Sequence, residues 1–290
     1  MTEEKIALLS TSLLDEQRPT VEELRRLAGD LGLDFGWHYL LDLTWILREL
    51  PRQARQSTIL DAGAGVGLLQ WYLAEQGAHV LSVDRLDRAH LPLRFRGRFS
   101  VDGLRADDLL PFGRMDWGKY PSIKAAGGDV YHGLIGLLQR GRSGRVTLYH
   151  QDLADLQDIP DNSVDAVVSV SALEHNSHEG LRKVVLELMR VLKPDGRLLA
   201  TLTAGCDPDW FHQSSQGWCF TAKTLRNLFE LGNDVPDNYA EFDSLLNALR
   251  NCAELRDHLA HFYFESGDNG MPWGKWDPQY LPVGVCKIKK

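Results

Sequence analysis

Hydrophobic and polar positions divide the chain into two textures. Up to residue 56 the pattern is helical. Thr20-Val-Glu-Glu23 has the form of a capping box ahead of LRRLAGDLG, which stops near Gly32, and Gly36 to Leu50 carries apolar residues at period-3 and period-4 steps until Pro51 ends it. From Thr58 the pattern becomes strands alternating with helices. TILDAG, AHVLSVD (Ala78 to Asp84), RVTLYHQD (Arg145 to Asp152), SVDAVVSVSAL (Ser163 to Leu173) and RLLATLT read as five strands. Helical patterns fall between the first and second, where GLLQWYLAEQ closes at Gly77, and between the fourth and fifth, where Leu181, Val184, Val185, Leu188 and Leu192 share a face. Strands that are apolar throughout and joined by helices predict an α/β fold, a doubly wound and mostly parallel sheet covered on both faces.

Two stretches depart from that rhythm. About 55 residues separate the second and third strands, where one helix would suffice, so 91–145 is expected to be an inserted lid or subdomain. Within it RFRGRF (Arg94 to Phe99) alternates charge and aromatic as a strand with one basic face would, and Trp117, Tyr120 and Tyr131 follow. After the fifth strand comes a polar, aromatic loop, then a helix over Thr221 to Leu231, and finally LAHFYFE and YLPVGVCKIKK, expected to pair as antiparallel edge strands. The organisation read from this is an N-terminal helical segment (1–56), a core (57–90 and 146–205), the insertion (91–145), and a closing region of the same domain (206–290).

Composition narrows the function classes. The chain of 290 residues is 43% hydrophobic and 25% charged, as an ordinary globular protein is, and no apolar run is long enough to span a bilayer. The acidic start MTEEKIALLS is unlike a signal peptide, which points to a cytoplasmic location. Cys206, Cys219, Cys252 and Cys286 show no metal spacing and read as free thiols. A net charge of −8 argues against a long nucleic-acid footprint. The charge is uneven: 91–145 holds ten Lys/Arg against five Asp, net +5, so the remainder is −13. Its arginines either meet an acceptor carrying phosphate or carboxylate, as a lid over it would, or pair with the acidic remainder or make a subunit contact.

The chemistry centres on ILDAGAGVGLLQ, Ile59 to Gln70. A glycine-rich turn between strand and helix lets a ligand approach the backbone. The dinucleotide fingerprint would need glycine at position 68, which is Leu, and Asp61 would repel a pyrophosphate, so a dehydrogenase reading is disfavoured. A carboxylate there suits a ligand bearing an ammonium group.

Asp61-x-Gly63-x-Gly65-x-Gly67 after a first strand resembles motif I of the class I S-adenosylmethionine (SAM)-dependent methyltransferases. Asp84 lies 17 residues beyond Gly67, where that family holds the ribose hydroxyls, and Asp152-Leu153 follows the third strand, where it commonly meets the adenine amino group. The stretch Ile159 to Leu202, with its LKPDGRLL turn, is similar to the type 11-like branch that includes the quinone-biosynthesis methyltransferases. The resemblance implies S-adenosyl-L-methionine as cofactor, bound by Asp61, Ala62, Gly63, Gly65, Gly67, Asp84, Arg85, Asp152, Leu153 and Ser171. It also implies methyl transfer to a small or medium-sized acceptor that could be anionic. Transfer to oxygen is favoured, because a hydroxyl nucleophile benefits from a base. His175, in SALEH at the end of the fourth strand, is the base candidate, and His212, in the loop after the fifth strand, is second. Against these roles, Glu174 and His175 could simply shape the strand end, His178 could be a solvated helix-start residue, and Trp37, His38 and Tyr39 could be core or a cover over the cofactor. RNA or protein as acceptor, and a binding module without turnover, are the alternative readings.

Overall fold

The computed structural model describes residues 3–51, 57–116, 118, 120, 122–139 and 144–290. Trp117 lies outside them. Among the described residues one sheet of ten strands forms the centre of the molecule. Its elements in chain order are β1 (Lys5–Leu8), α1 (Leu13–Glu16), α2 (Arg18–Leu31), α3 (Tyr39–Glu49), β2 (Thr58–Ala62), α4 (Leu68–Glu75), β3 (His79–Asp84), α5 (Leu93–Arg98), β4 (Ser100–Gly103) and α6 (Ile123–Gln139). There follow β5 (Arg145–His150), β6 (Val164–Val170), α7 (His178–Val191), β7 (Leu192–Ala204), β8 (Trp210–His212), β9 (Gly217–Phe220), α8 (Ala222–Leu228), α9 (Phe242–Arg250), α10 (Ala253–Asp257) and β10 (Leu281–Ile288).

The sheet order is β1-β10-β7-β6-β2-β3-β5-β4. The run from β7 to β4 is parallel, and β10 and β1 close it antiparallel. β2 is therefore the switch point: the chain continues to β3 on one side of it and later returns to β6 on the other, which opens a crevice beyond their carboxyl ends. The five predicted core strands are β2, β3, β5, β6 and β7, and their apolar side chains are buried on both faces.

Four local expectations are corrected. The chain opens with a strand, not a helix: Ile6 and Leu8 are buried in alternation, and β1 pairs with β10. α2 begins at Arg18 with Pro19 in its first turn, so Thr20 is inside the helix and caps nothing, while Gly32 in the left-handed region ends it as expected. RFRGRF is helical in α5, because Phe95 and Phe99 stand four apart and both lie against the Trp71 ring. LAHFYFE forms a single 3-10 turn (His261–Phe264) in which only Tyr263 is buried, so the partner of β10 at the edge is β1.

The insertion extends the sheet. β4 adds a parallel strand outside β5, and α5 and α6 pack on each other. The three arginines of RFRGRF are spent inside the protein. Arg94 pairs with Asp129 at 3.3 Å, Arg96 donates to the carbonyls of Leu110 and Ala89, and Arg98 bridges Glu75 and Asp30 of the acidic remainder.

Candidate active site

The crevice at the switch point is a cavity of about 580 Å³, within the range of pockets that bury a small ligand. Its floor is the turn from β2 into α4. Gly63 has φ +75°, and a Cβ there would lie 2.4 Å from the Ala172 Cβ, so only glycine fits. Two side chains from outside the turn hold it open. The amide of Gln70, buried in α4, faces the carbonyls of Ala64, Gly65 and Gly67, and its oxygen accepts from the Ser82 hydroxyl at 2.7 Å. The buried Arg88 guanidinium donates to the carbonyls of Gly65, Ser82 and Tyr149. Sequence reasoning found neither. An amide on the apolar face of a helix was the available signal for Gln70; Arg88 sits in a loop and gave none.

The two acids beside this turn, Asp61 in β2 and Asp84 in β3, differ. Asp84 ends β3 with its carboxylate aimed by two backbone N–H groups, Gly65 to Oδ2 and Leu86 to Oδ1, both at 2.7 Å. Each oxygen keeps a free lone pair for a further donor. Asp61 is only 3% exposed. Burial pushes its pKa up to about 7, the Arg88 charge opposes that rise, and Asp84 adds to it. A buried acid left near neutrality is an acceptor for a cation. At the far side Asp152 forms an ion pair with Arg85 and accepts from the Ala154 N–H at 2.9 Å, and these bonds hold its carboxyl below the usual range. Leu153 is beside it in the lining.

The opposite wall comes from the end of β6 and from the N-terminal segment. Ser171, with φ +44°, spends its hydroxyl on Glu174 Oε1. Glu174 is buried, its Oε2 has no partner, and burial raises its pKa. His175 lines the cavity, and its Nδ1 lies 2.9 Å from the Gln216 carbonyl. That bond assigns the proton to Nδ1 and leaves Nε2 a lone pair. Leu33, Asp34, Phe35, Tyr39 and Leu43 complete this side. Tyr39 thus faces the cavity, whereas Trp37 and His38 are buried away from it, His38 bonded to Asp42 at 2.7 Å.

The cavity therefore gathers Asp61, Gly63, Gly65, Gly67, Asp84, Arg85, Asp152, Leu153, Ser171 and His175. It does not include Ala62 or His212. Ala62 is buried in β2, its carbonyl accepting from Ser169 at 2.8 Å. His212 packs between the Trp210 and Tyr280 rings with Nδ1 2.7 Å from the Ser215 hydroxyl, and burial lowers its pKa. His178 pairs with Asp209 at 3.0 Å. Among the described residues, the lining takes nothing from 91–145, so the lid expected there is in this structure a sheet edge.

These features fit S-adenosyl-L-methionine. It has an ammonium for a carboxylate such as Asp61, a ribose diol for one such as Asp84, and no phosphate to be repelled by either.

The family model described as a methyltransferase domain matches residues 120–200. No curated protein sequence matches the chain. Among solved structures, the [4+2]-cyclase SpnF is 16% identical with a TM-score of 0.52, over 99% of each chain. Phosphoethanolamine N-methyltransferase 2 of Haemonchus contortus, in complex with phosphomonomethylethanolamine and S-adenosylhomocysteine, is 16% identical with a TM-score of 0.50; the match covers 96% of this chain and 59% of that one. At such identity these likenesses establish the fold, and a fold shared by a cyclase and a methyl-transfer enzyme does not set the acceptor. The comparisons thus give the chain the fold of these proteins and, over 120–200, a likeness to a methyltransferase domain.

Proposed function

We propose that the protein methylates a hydroxyl oxygen of a small or medium-sized acceptor, with His175 as general base. The observation that carries this reading is the hydrogen bond that His175 makes at the edge of the cavity. His175 lines the cavity, and in the neutral ring the bond from Nδ1–H to the Gln216 carbonyl leaves Nε2 as the proton acceptor. An unprotonated amine would need no such group, whereas a hydroxyl gains from one. Arg94, Arg96 and Arg98 are engaged elsewhere and no residue of 91–145 is in the described lining, so the reading takes a neutral acceptor over an anionic one.

On this reading Asp61 holds the cofactor's ammonium, the Gly63 to Gly67 backbone lies against its methionine portion, Asp84 receives both ribose hydroxyls, and Arg85, Asp152 and Leu153 frame the adenine. Bound there, the cofactor supplies a methyl group already activated by the positive sulfur. The chain's part is to align the acceptor, exclude water with Tyr39 and Phe35, and take the hydroxyl proton at His175 Nε2. Ser171 and Glu174 brace the bend that sets His175. The acidic total is in keeping with a small-molecule enzyme of the cytoplasm, and among the described residues no helix is long and apolar enough to cross a membrane.

A screen of phenolic, carboxylic and amine acceptors, followed by S-adenosylhomocysteine release, tests the reading. Turnover is expected with hydroxyl-bearing compounds, and His175→Ala should lower kcat by about 10²–10³-fold while leaving the SAM Kd unchanged. Turnover confined to amines would overturn oxygen as the target, and an unaltered kcat would remove His175 as the base.

A further inference from the structure

Asp84 is aimed by two backbone N–H groups and Asp152 is paired with Arg85, but a third acid near the cavity is left half-satisfied. Glu174 sits in a 3-10 turn (Leu173–His175) directly after β6 and is only 1% exposed. Its Oε1 accepts from the Ser171 hydroxyl, and its Oε2 has no partner. A buried carboxyl with one oxygen unbonded is costly. A bend that needed only a brace would be served as well by an apolar side chain of the same length.

The groups that face this carboxyl supply no permanent charge. They are His175 of its own turn, Ser171 at the end of β6, His38 and Tyr39 at the start of α3, Cys219 of β9, and Tyr280 just before β10. His38 is already bonded to Asp42, and His175 gives its Nδ1–H to the Gln216 carbonyl. Burial raises the Glu174 pKa, while His175 and the Ser171 hydroxyl oppose the rise. A fixed positive charge in the neighbouring cavity would complete the acid's surroundings. In the cofactor placement given above, the ammonium is at Asp61 and the ribose at Asp84, so the sulfonium that joins them lies over the glycine turn. That turn abuts the bend carrying Glu174: the Ala172 Cβ lies 2.4 Å from where a Cβ of Gly63 would stand, and Ser171, Ala172 and His175 line the same cavity. A charge buried behind a cavity wall is little screened by water or salt, so it acts across such a gap.

We propose that Glu174 is a positioning residue for the sulfonium: as a carboxylate behind Ser171 it favours S-adenosyl-L-methionine over the uncharged sulfur of S-adenosylhomocysteine. The inference rests on the cofactor placement under Proposed function. Both compounds bring the same ammonium to Asp61 and the same ribose to Asp84, so those contacts hold them alike. Only a charge near the sulfur tells them apart. In the transfer the methyl leaves for the acceptor oxygen, the electrons of its bond return to sulfur, and the positive charge disappears. Glu174 therefore favours exchange of spent product for fresh cofactor, not the chemical step itself.

Isothermal titration of the full chain with S-adenosyl-L-methionine and with S-adenosylhomocysteine, no acceptor being present, tests the proposal through the ratio of the two Kd values. Glu174→Gln keeps the size and the bond from Ser171 and removes the charge. The SAM Kd is expected to rise about tenfold and the S-adenosylhomocysteine Kd to stay within about twofold of the parent. Glu174→Asp, which keeps the charge, should keep the parent ratio. Should the glutamine variant fold poorly, Glu174→Met, neutral and with no polar atom to satisfy, should shift the ratio in the same way. A ratio unaltered in the neutral variants, equal weakening of both ligands included, overturns the proposal and leaves Glu174 a brace. Parent protein that binds neither compound overturns the cofactor placement on which it stands.

Discussion

The two walls of the cavity are built by different means. The wall beside β2 is mainly backbone: a turn of glycines with Asp61 at its start and Asp84 of β3 bonded to its middle, held by Gln70 and Arg88 from behind. The wall beside β6 is side chains: Ser171 on Glu174, His175 on the Gln216 carbonyl, Tyr39 from a helix more than a hundred residues earlier. The first wall can do little except receive a ligand of fixed shape, and the second can vary with the acceptor. One fold can thus keep its cofactor and change its substrate.

Substitutions that treat the walls as interchangeable should show that they are not. The largest effect is expected from Gly63→Ala. The added Cβ would meet Ala172 at 2.4 Å in a backbone conformation that L residues rarely adopt, so SAM binding should be lost by isothermal titration, and Tm should fall, since strain of this kind costs about 1–3 kcal/mol. A variant that binds normally would show that the turn has slack. Next comes Asp84→Ala, which removes the acceptor of two backbone N–H groups and the proposed ribose contact; a 10–100-fold weaker Kd is expected, about 1.4–2.7 kcal/mol. An unchanged Kd would break the ribose assignment.

The smallest effect sharpens the electrostatics. Asp61 has a pKa of about 7 without ligand, and an ammonium beside it favours the carboxylate. Binding should therefore release a proton, and SAM affinity should fall as pH drops through 7, about tenfold weaker at pH 6 than at pH 8. Asp61→Asn should flatten that dependence. A profile as steep in the variant would place the titrating group elsewhere.

The same contrast explains what the sequence revealed. The glycine turn, Asp61 and Asp84 were legible because backbone constraints and strand ends are local and leave residue types at fixed spacing. His175 could be placed at the cavity from its position after β6, but its partner Gln216 could not, since a loop far along the chain supplies it. His212 misled because an aromatic, polar loop looks like a substrate wall whether its rings face a ligand or, as here, Tyr280. RFRGRF misled because six residues of alternating charge and ring satisfy period two and, through Phe95 and Phe99, the helical period as well; Trp71 decided between them. β1 was missed because a short apolar run near the start is ambiguous until its partner, β10, is known.

That pairing has a consequence for how the molecule is made. β10 lies between β7 and β1, antiparallel to both, so Lys5–Leu8 has its neighbour in a strand made long after it. Until then β7 offers a bare, strongly apolar border and Lys5–Leu8 dangles without a mate. Nascent chains would be vulnerable to sticking together at that border, and loss of Leu281–Ile288 would leave it permanently open.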